Sequence, residues 1–182
     1  CSIGAMFVFT QPALAESDIQ WTLDANGTVD YIFQDASTTE LSNIELPAND
    51  PTINLIVGER YGVTNLNPSF HPFQVIANGG SPGEDVVLLA QGSDSGSLED
   101  DADINWVDDS GTIEFTLTSN LVNEMNQGDN NPGYRCGIHV STMRGNFEIF
   151  GNGQEIENPI EPTIMKGDIT IELEMVAENL TS

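Results

Sequence analysis

The stretch Tyr134-Arg135-Cys136-Gly137-Ile138-His139-Val140-Ser141-Thr142-Met143 decides how this chain is read. It puts a thiol, an imidazole and a thioether on one short loop. Asn146-Phe147-Glu148-Ile149-Phe150 follows closely and reads as a strand. Far upstream, Phe70-His71-Pro72-Phe73 supplies a second imidazole. The chain has only two histidines, and both lie in these segments.

One Cys, two His and one Met form the donor set of a mononuclear blue-copper centre. Copper cycling between Cu(I) and Cu(II) needs soft sulfur for one state and imidazole nitrogen for the other. A His₂Cys plane with a weak axial Met serves both states with little rearrangement. One short loop cannot wrap the metal alone and stay rigid, so the first His must come from a separate segment. Other chemistries fit less well. Structural zinc sites close a tetrahedron with Cys and His, not Met. Covalently attached haem needs Cys-x-x-Cys-His, which is absent from the sequence. A dinuclear copper centre would want a second Cys near the first. No nucleophile motif and no third His point to hydrolysis.

These residues resemble the cupredoxins of plastocyanin, amicyanin and azurin type, over residues 18–152. Val57-Gly58-Glu59-Arg60-Tyr61-Gly62-Val63-Thr64-Asn65 is similar to the family strand in which a Gly-acidic pair precedes an extended run ending in Asn. Asn67-Pro68-Ser69-Phe70-His71 is similar to the turn that delivers the first ligand, and the segment from Tyr134 to Gly145 to the ligand loop. The resemblance implies a Greek-key β-sandwich or barrel. It also implies one copper ion held by His71, Cys136, His139 and Met143, with Met143 axial. The implied role is that of a single-electron carrier between redox partners, not of an enzyme. His139 would be the exit, rimmed by Gly137, Ile138, Val140 and Pro72. Two departures stand out. Cys-x₂-His spacing is plastocyanin- or amicyanin-like, whereas His-x₃-Met is closer to azurin. Pro72 follows the first His where many members carry an Asn that ties the two ligand loops together, so the surroundings of the sulfur must differ here.

The rest of the pattern agrees with an all-β fold. Short apolar runs (29–33, 53–57, 73–77, 86–90, 112–118 and 169–175) are punctuated by Gly, Pro, Asn and Asp, as in sandwiches and barrels. Residues 119–126 read as a short helical turn opened by Ser119, with Leu121, Val122 and Met125 on one side. The 182 residues suit one domain with appendages. Residues 1–15 read as targeting. Ile3 to Phe9 is apolar, and Ala13-Leu14-Ala15 before Glu16 is a small-x-small cleavage site. The missing start Met and basic region make this a truncated signal peptide; a lipoprotein role for Cys1 is the alternative. Both place the domain, residues 16–152, in the periplasm or outside the cell. Residues 153–167 read as a linker. Residues 168–182 read as an extra strand, or as the start of a further domain resembling glucose/sorbosone-dehydrogenase propellers.

Charge is the other loud feature. Four Lys plus Arg against 29 Asp plus Glu gives a formal net charge of −25. Nucleic acid and anionic membranes are poor partners for such a surface. The acids concentrate in residues 83–109, which carry no basic residue. They read as a solvated loop suited to salty surroundings, with a patch steering a cationic redox partner as the competing reading. A fused dehydrogenase is the other partner expected from the tail. Two other functions remain open at this point: copper storage or delivery, and a non-redox interaction domain in which the four residues never meet.

Overall fold

The computed structural model describes residue 17, residues 19–37 and residues 44–151. The expected signal segment, Cys1, the linker and the alternating run 169–175 lie outside the described residues.

The fold is an all-β sandwich. Its first sheet has six strands: β1 (Ile19–Asn26), β2 (Asp30–Ala36), β3 (Ala48–Asn49), β5 (Arg60–Asn65), β8 (Val107–Asp109) and β9 (Thr112–Thr116). They lie in the order β3-β2-β1-β5-β9-β8. The second sheet contains β4 (Ile53–Ile56), β6 (Phe73–Ala77), β7 (Val86–Ala90), β10 (Gly133–Cys136) and β11 (Arg144–Phe150). Its order is β4-β11-β10-β6-β7. Pairing is antiparallel except for β1 with β5 and β4 with β11.

Local sequence explains the elements. In β1, Ile19, Trp21 and Leu23 are buried on one face, the period-two signature of a half-covered strand. The β1–β2 hairpin turns at Gly27, whose φ of +60° suits a residue without Cβ, and Val29 N–H donates to Asn26 O at 3.2 Å. The only helix among the described residues, α1 (Ser119–Met125), connects β9 to β10. It buries Leu121 and Met125, as expected. The cap differs from the expectation. Thr118, not Ser119, opens the helix, with its hydroxyl accepting from Leu121 N–H at 3.1 Å. A residue with extended backbone is needed there, and Thr118 has it (φ −78°, ψ 159°).

The two sheets meet through aromatic rings. Within the first sheet Trp21 stacks on Tyr61 at 5.6 Å, and within the second Tyr134 stacks on Phe73 at 5.4 Å. Phe33 of the first sheet meets Tyr134 of the second edge-on at 5.4 Å. Each buried ring contributes about 2–3 kcal/mol of apolar burial. Pairing of Phe73 with Cys136 brings the start of β6 and the end of β10 together, so the loops preceding β6 and following β10 emerge at one end of the second sheet.

Candidate metal centre

Two loops build the centre. The β5–β6 loop carries His71, and the β10–β11 loop carries Cys136, His139 and Met143. In the first loop, Asn67 O accepts from Phe70 N–H at 3.1 Å and from His71 N–H at 2.9 Å, closing a tight turn. Asn65, at the end of β5, staples that turn. Its Nδ2 donates to His71 O at 2.7 Å, and its Oδ1 accepts from Asn67 N–H at 3.0 Å. The second loop curls on itself, with His139 O accepting from Thr142 and Met143 N–H at 3.2 and 3.1 Å. Cys136 N–H donates to Met143 O at 2.8 Å, so the β10–β11 ladder continues one step past Arg135–Arg144. Paired residues share a face. Cys136 and Met143 therefore project to the same side, and both are fully buried.

The donor atoms converge. His71 Nδ1 and His139 Nδ1 are 3.1 Å apart, and Cys136 Sγ lies 3.9 Å from the first and 3.7 Å from the second. A metal about 2.0 Å from each nitrogen and about 2.3 Å from the sulfur would see these donors at angles totalling roughly 350°, nearly a flat trigonal plane. A closed tetrahedron would need a tighter set. His₂Cys trigonal geometry with a sulfur donor on the same side of the sheet is the arrangement copper favours, so the residues fit the ion that the donor set implies.

The surroundings hold this triangle from every side. Cys136 Sγ accepts from Ile138 N–H at 3.4 Å and His139 N–H at 3.3 Å, which fixes the position of the sulfur. Pro72 has no N–H to offer the sulfur. Instead its carbonyl accepts from Gly137 N–H at 2.8 Å, tying the two ligand loops together. Tyr31 Oη donates to His71 O at 2.8 Å and lies 3.1 Å from Pro72 O. Burial first, and the neighbouring Cys136 next, hold the Tyr31 phenol well above its ordinary pKa, so it stays a donor. Gln91 Oε1 accepts from Asn65 Nδ2 at 2.8 Å and from Phe73 N–H at 3.2 Å. His71 is 9 % exposed. Desolvation, and then the His139 ring, lower its pKa below that of a free imidazole, with Asp24 opposing. A neutral ring is the form that ligates a metal.

No protein-family model and no curated protein matches this chain. The site therefore rests on its own geometry.

That geometry brings together all four sequence-derived candidates: His71, Cys136 and His139 as a compact donor cluster, with Met143 across the ladder from Cys136. Residues that sequence reasoning passed over do the holding. Tyr31, Gln91 and the side chain of Asn65 carry no local signal, because each acts through a segment distant in sequence. The acidic stretch 83–109 is also more than a solvated loop. The Asp85 side chain is completely buried. Glu99 Oε1 accepts from Ala90 and Gly96 N–H at 2.8 and 2.6 Å, Asp101 accepts from Asp103 N–H and Asn120, and Asp108 accepts from Gly92 N–H. These carboxylates fold the segment by satisfying its backbone donors.

Proposed function

We propose that this chain is a type 1 copper protein of cupredoxin kind that carries single electrons between redox partners. The observation that carries the reading is the convergence of His71 Nδ1, His139 Nδ1 and Cys136 Sγ to within 4 Å of one another, with Met143 on the same face. His71, Cys136 and His139 would hold the ion equatorially, and Met143 would be the axial donor. Copper bound there supplies a centre that gains and loses one electron with little change in geometry.

The chain's own residues support that role in three ways. The hydrogen bonds of Asn65, Tyr31, Gln91 and Gly137 fix both loops, which keeps donor movement small. Burial of Cys136 and Met143 excludes water from the sulfur side. His139 is only half-buried, and its neighbourhood is apolar. Of the five large hydrophobic side chains that stand exposed among the described residues, Val29, Leu66, Phe70 and Ile138 lie in loops around the cluster. Thr142 Oγ1, donating to Thr28 O at 2.6 Å, anchors the ligand loop to the turn bearing Val29. An uncharged rim in a strongly acidic surface suits brief docking of a cationic redox protein. The apolar run Ile3 to Phe9 with Ala13-Leu14-Ala15 supports an exported location, periplasmic or extracellular. No described helix is long and apolar enough to cross a membrane.

The test is a visible spectrum after stoichiometric Cu(II), followed by ascorbate. An intense thiolate-to-copper band that bleaches on reduction is expected, and Cys136→Ser should abolish it. A protein showing only weak copper absorption would remove Cys136 from the ligand set and sink the reading. Fast reversible cycling is expected of a carrier; slow cycling with ready metal transfer would mark a storage or delivery module.

A further inference from the structure

Two of the chain's four basic residues meet at one buried carboxylate directly behind the metal loops. Asp85 Oδ2 lies 2.7 Å from Arg135 Nη1 and 3.2 Å from Arg144 Nη1. Its Oδ1 accepts from Arg144 Nη2 at 3.2 Å and from Gly79 N–H at 3.1 Å. The Asp85 side chain is 0 % exposed, so the carboxylate is compensated by protein alone. Arg135 and Arg144 stand directly opposite each other in the β10–β11 ladder. Like charges in that position repel; the carboxylate between them turns the repulsion into a clasp.

The position of this clasp matters. Arg135 immediately precedes Cys136, and Arg144 immediately follows Met143. Successive strand residues face opposite sides, so the arginines grip from the outer face the same backbone that presents the two sulfur donors on the inner face. The clasp also reaches into the loop between them. Arg144 Nη1 donates to Val140 O at 3.2 Å. Arg135 Nε donates to Gln74 Oε1 at 3.0 Å, and Gln74 Nε2 to Asp94 Oδ2 at 2.9 Å. A Cβ on Gly137 would sit 2.8 Å from Gln74 Nε2 and 3.2 Å from Asp94 Oδ2. The glycine thus lets this network press on the residue after Cys136.

We infer that Asp85 is a positioning residue for the metal centre: its buried carboxylate clamps, from the opposite face of the sheet, the two strand ends that carry Cys136 and Met143. The inference rests on the copper reading for its consequence at the metal, and on the clasp geometry alone for its consequence in the chain. An axial thioether is a weak contact whose separation sets the potential. Fixing the Cys136–Met143 separation is therefore fixing the colour and potential of the centre. Without the carboxylate, the buried Arg135 and the half-buried Arg144 guanidiniums repel and the strand ends part. A longer axial contact and the loss of a nearby negative charge both favour Cu(I), so the potential rises.

The experiment compares Asp85→Asn with Leu117→Ala. Leu117 is fully buried and hydrogen-bonds to Glu59, at the far end of β5 from the loops, so its loss destabilises the fold without touching the clasp. In the metal-free protein, Asp85→Asn should shift the NMR signals of the Met143 methyl and the Cys136 and Val140 amides, and Leu117→Ala should leave them in place. In the copper-loaded protein, Asp85→Asn should change the ratio of the thiolate bands, raise the potential and lower copper affinity about 10–100-fold. If both variants move these signals alike, or neither does, the clasp is mere scaffolding and the inference is overturned. If Asp85→Asn does not fold, Arg144→Lys decides by the same criteria, since it keeps the charge and loses the fork. A wild-type protein without a thiolate-to-copper band would defeat the copper reading, while the metal-free signals would still decide whether Asp85 holds Cys136 and Met143 in place.

Discussion

The two sheets solve burial differently. In β1 and β9 of the six-stranded sheet, buried residues alternate with half-exposed ones. In β6 and β10 of the five-stranded sheet every residue is buried. The first pattern is an ordinary amphipathic sheet with polar cross-strand pairs on its outer face, such as Gln20 Nε2 with Thr64 Oγ1 at 2.9 Å. The second is covered on both faces: by the aromatic core inside, and outside by segments that bring Pro82, Asp85 and Asp94 onto Arg135 and Gln74. On the two central strands of the ligand-bearing sheet, Gln74 and Arg135 are thus held with little access to water. Stability comes from burial in both sheets, whereas the strand ends that carry Cys136 and Met143 are held from behind by the dry polar network of one.

That contrast can be broken by mutation. Removing the guanidinium from the covered sheet with Arg135→Ala leaves Gln74 Oε1 and Pro82 O without donors, at a cost of about 3 kcal/mol. Its counterpart in the open sheet, Glu114→Gln, loosens the 2.9 Å pair with Arg60 where the carboxylate reaches solvent. Arg60 keeps Asn105 O and Thr116 Oγ1 as acceptors, so about 1 kcal/mol is expected. Equal losses in chemical denaturation would erase the distinction between the sheets.

An effect of comparable size sits at the boundary between them, at Asp50. Burial is the chief cause that pushes its carboxyl up to about 6, with nearby Asp30 adding to it. The unfolded carboxyl ionises near 3.8, so between roughly pH 4 and 6 the folded state binds more protons and stability falls as pH rises. Asp50→Asn should remove that slope and raise stability at pH 7 by about 1–2 kcal/mol after solvent screening. Asn keeps an acceptor for Tyr31 N–H at 3.0 Å and tolerates the φ of +38°. Thermal melts of both forms from pH 4 to 7 check it, and an unchanged slope would rule Asp50 out as its source. Smallest in stability is Ile138→Ser. A side chain 56 % exposed should cost under about 0.5 kcal/mol. Electron exchange with a cationic redox protein, followed by stopped flow, should nevertheless slow severalfold; an unaffected rate would place docking elsewhere.

Much of the fold is legible in the sequence because its signals are local. Alternation marks β9, continuous apolar runs mark β6 and β7, and residue type with loop spacing picks out His71, Cys136, His139 and Met143. The strand β1 is not among the apolar runs, since polar Gln20, Thr22 and Asp24 interleave its buried side chains. The helix cap lies one residue from its expected place, because Ser119 and Thr118 are chemically alike and only backbone geometry separates them. In sequence, Asp85 looks like one more solvated acid. Nothing there distinguishes a carboxylate facing water from one facing two arginines that arrive from distant strands. Charge composition speaks of the surface as a whole, and the exceptions that shape a site are set by topology.

One consequence follows from where the arginines went. Arg60, Arg135 and Arg144 are the only basic residues described, and each is engaged in an ion pair with a carboxylate. The described exterior carries no fixed cation of its own to offset its acids. Mobile cations from the solvent must supply that balance, gathering within a Debye length of the surface. Added salt should therefore raise the stability of the folded protein by screening the repulsion among its acids.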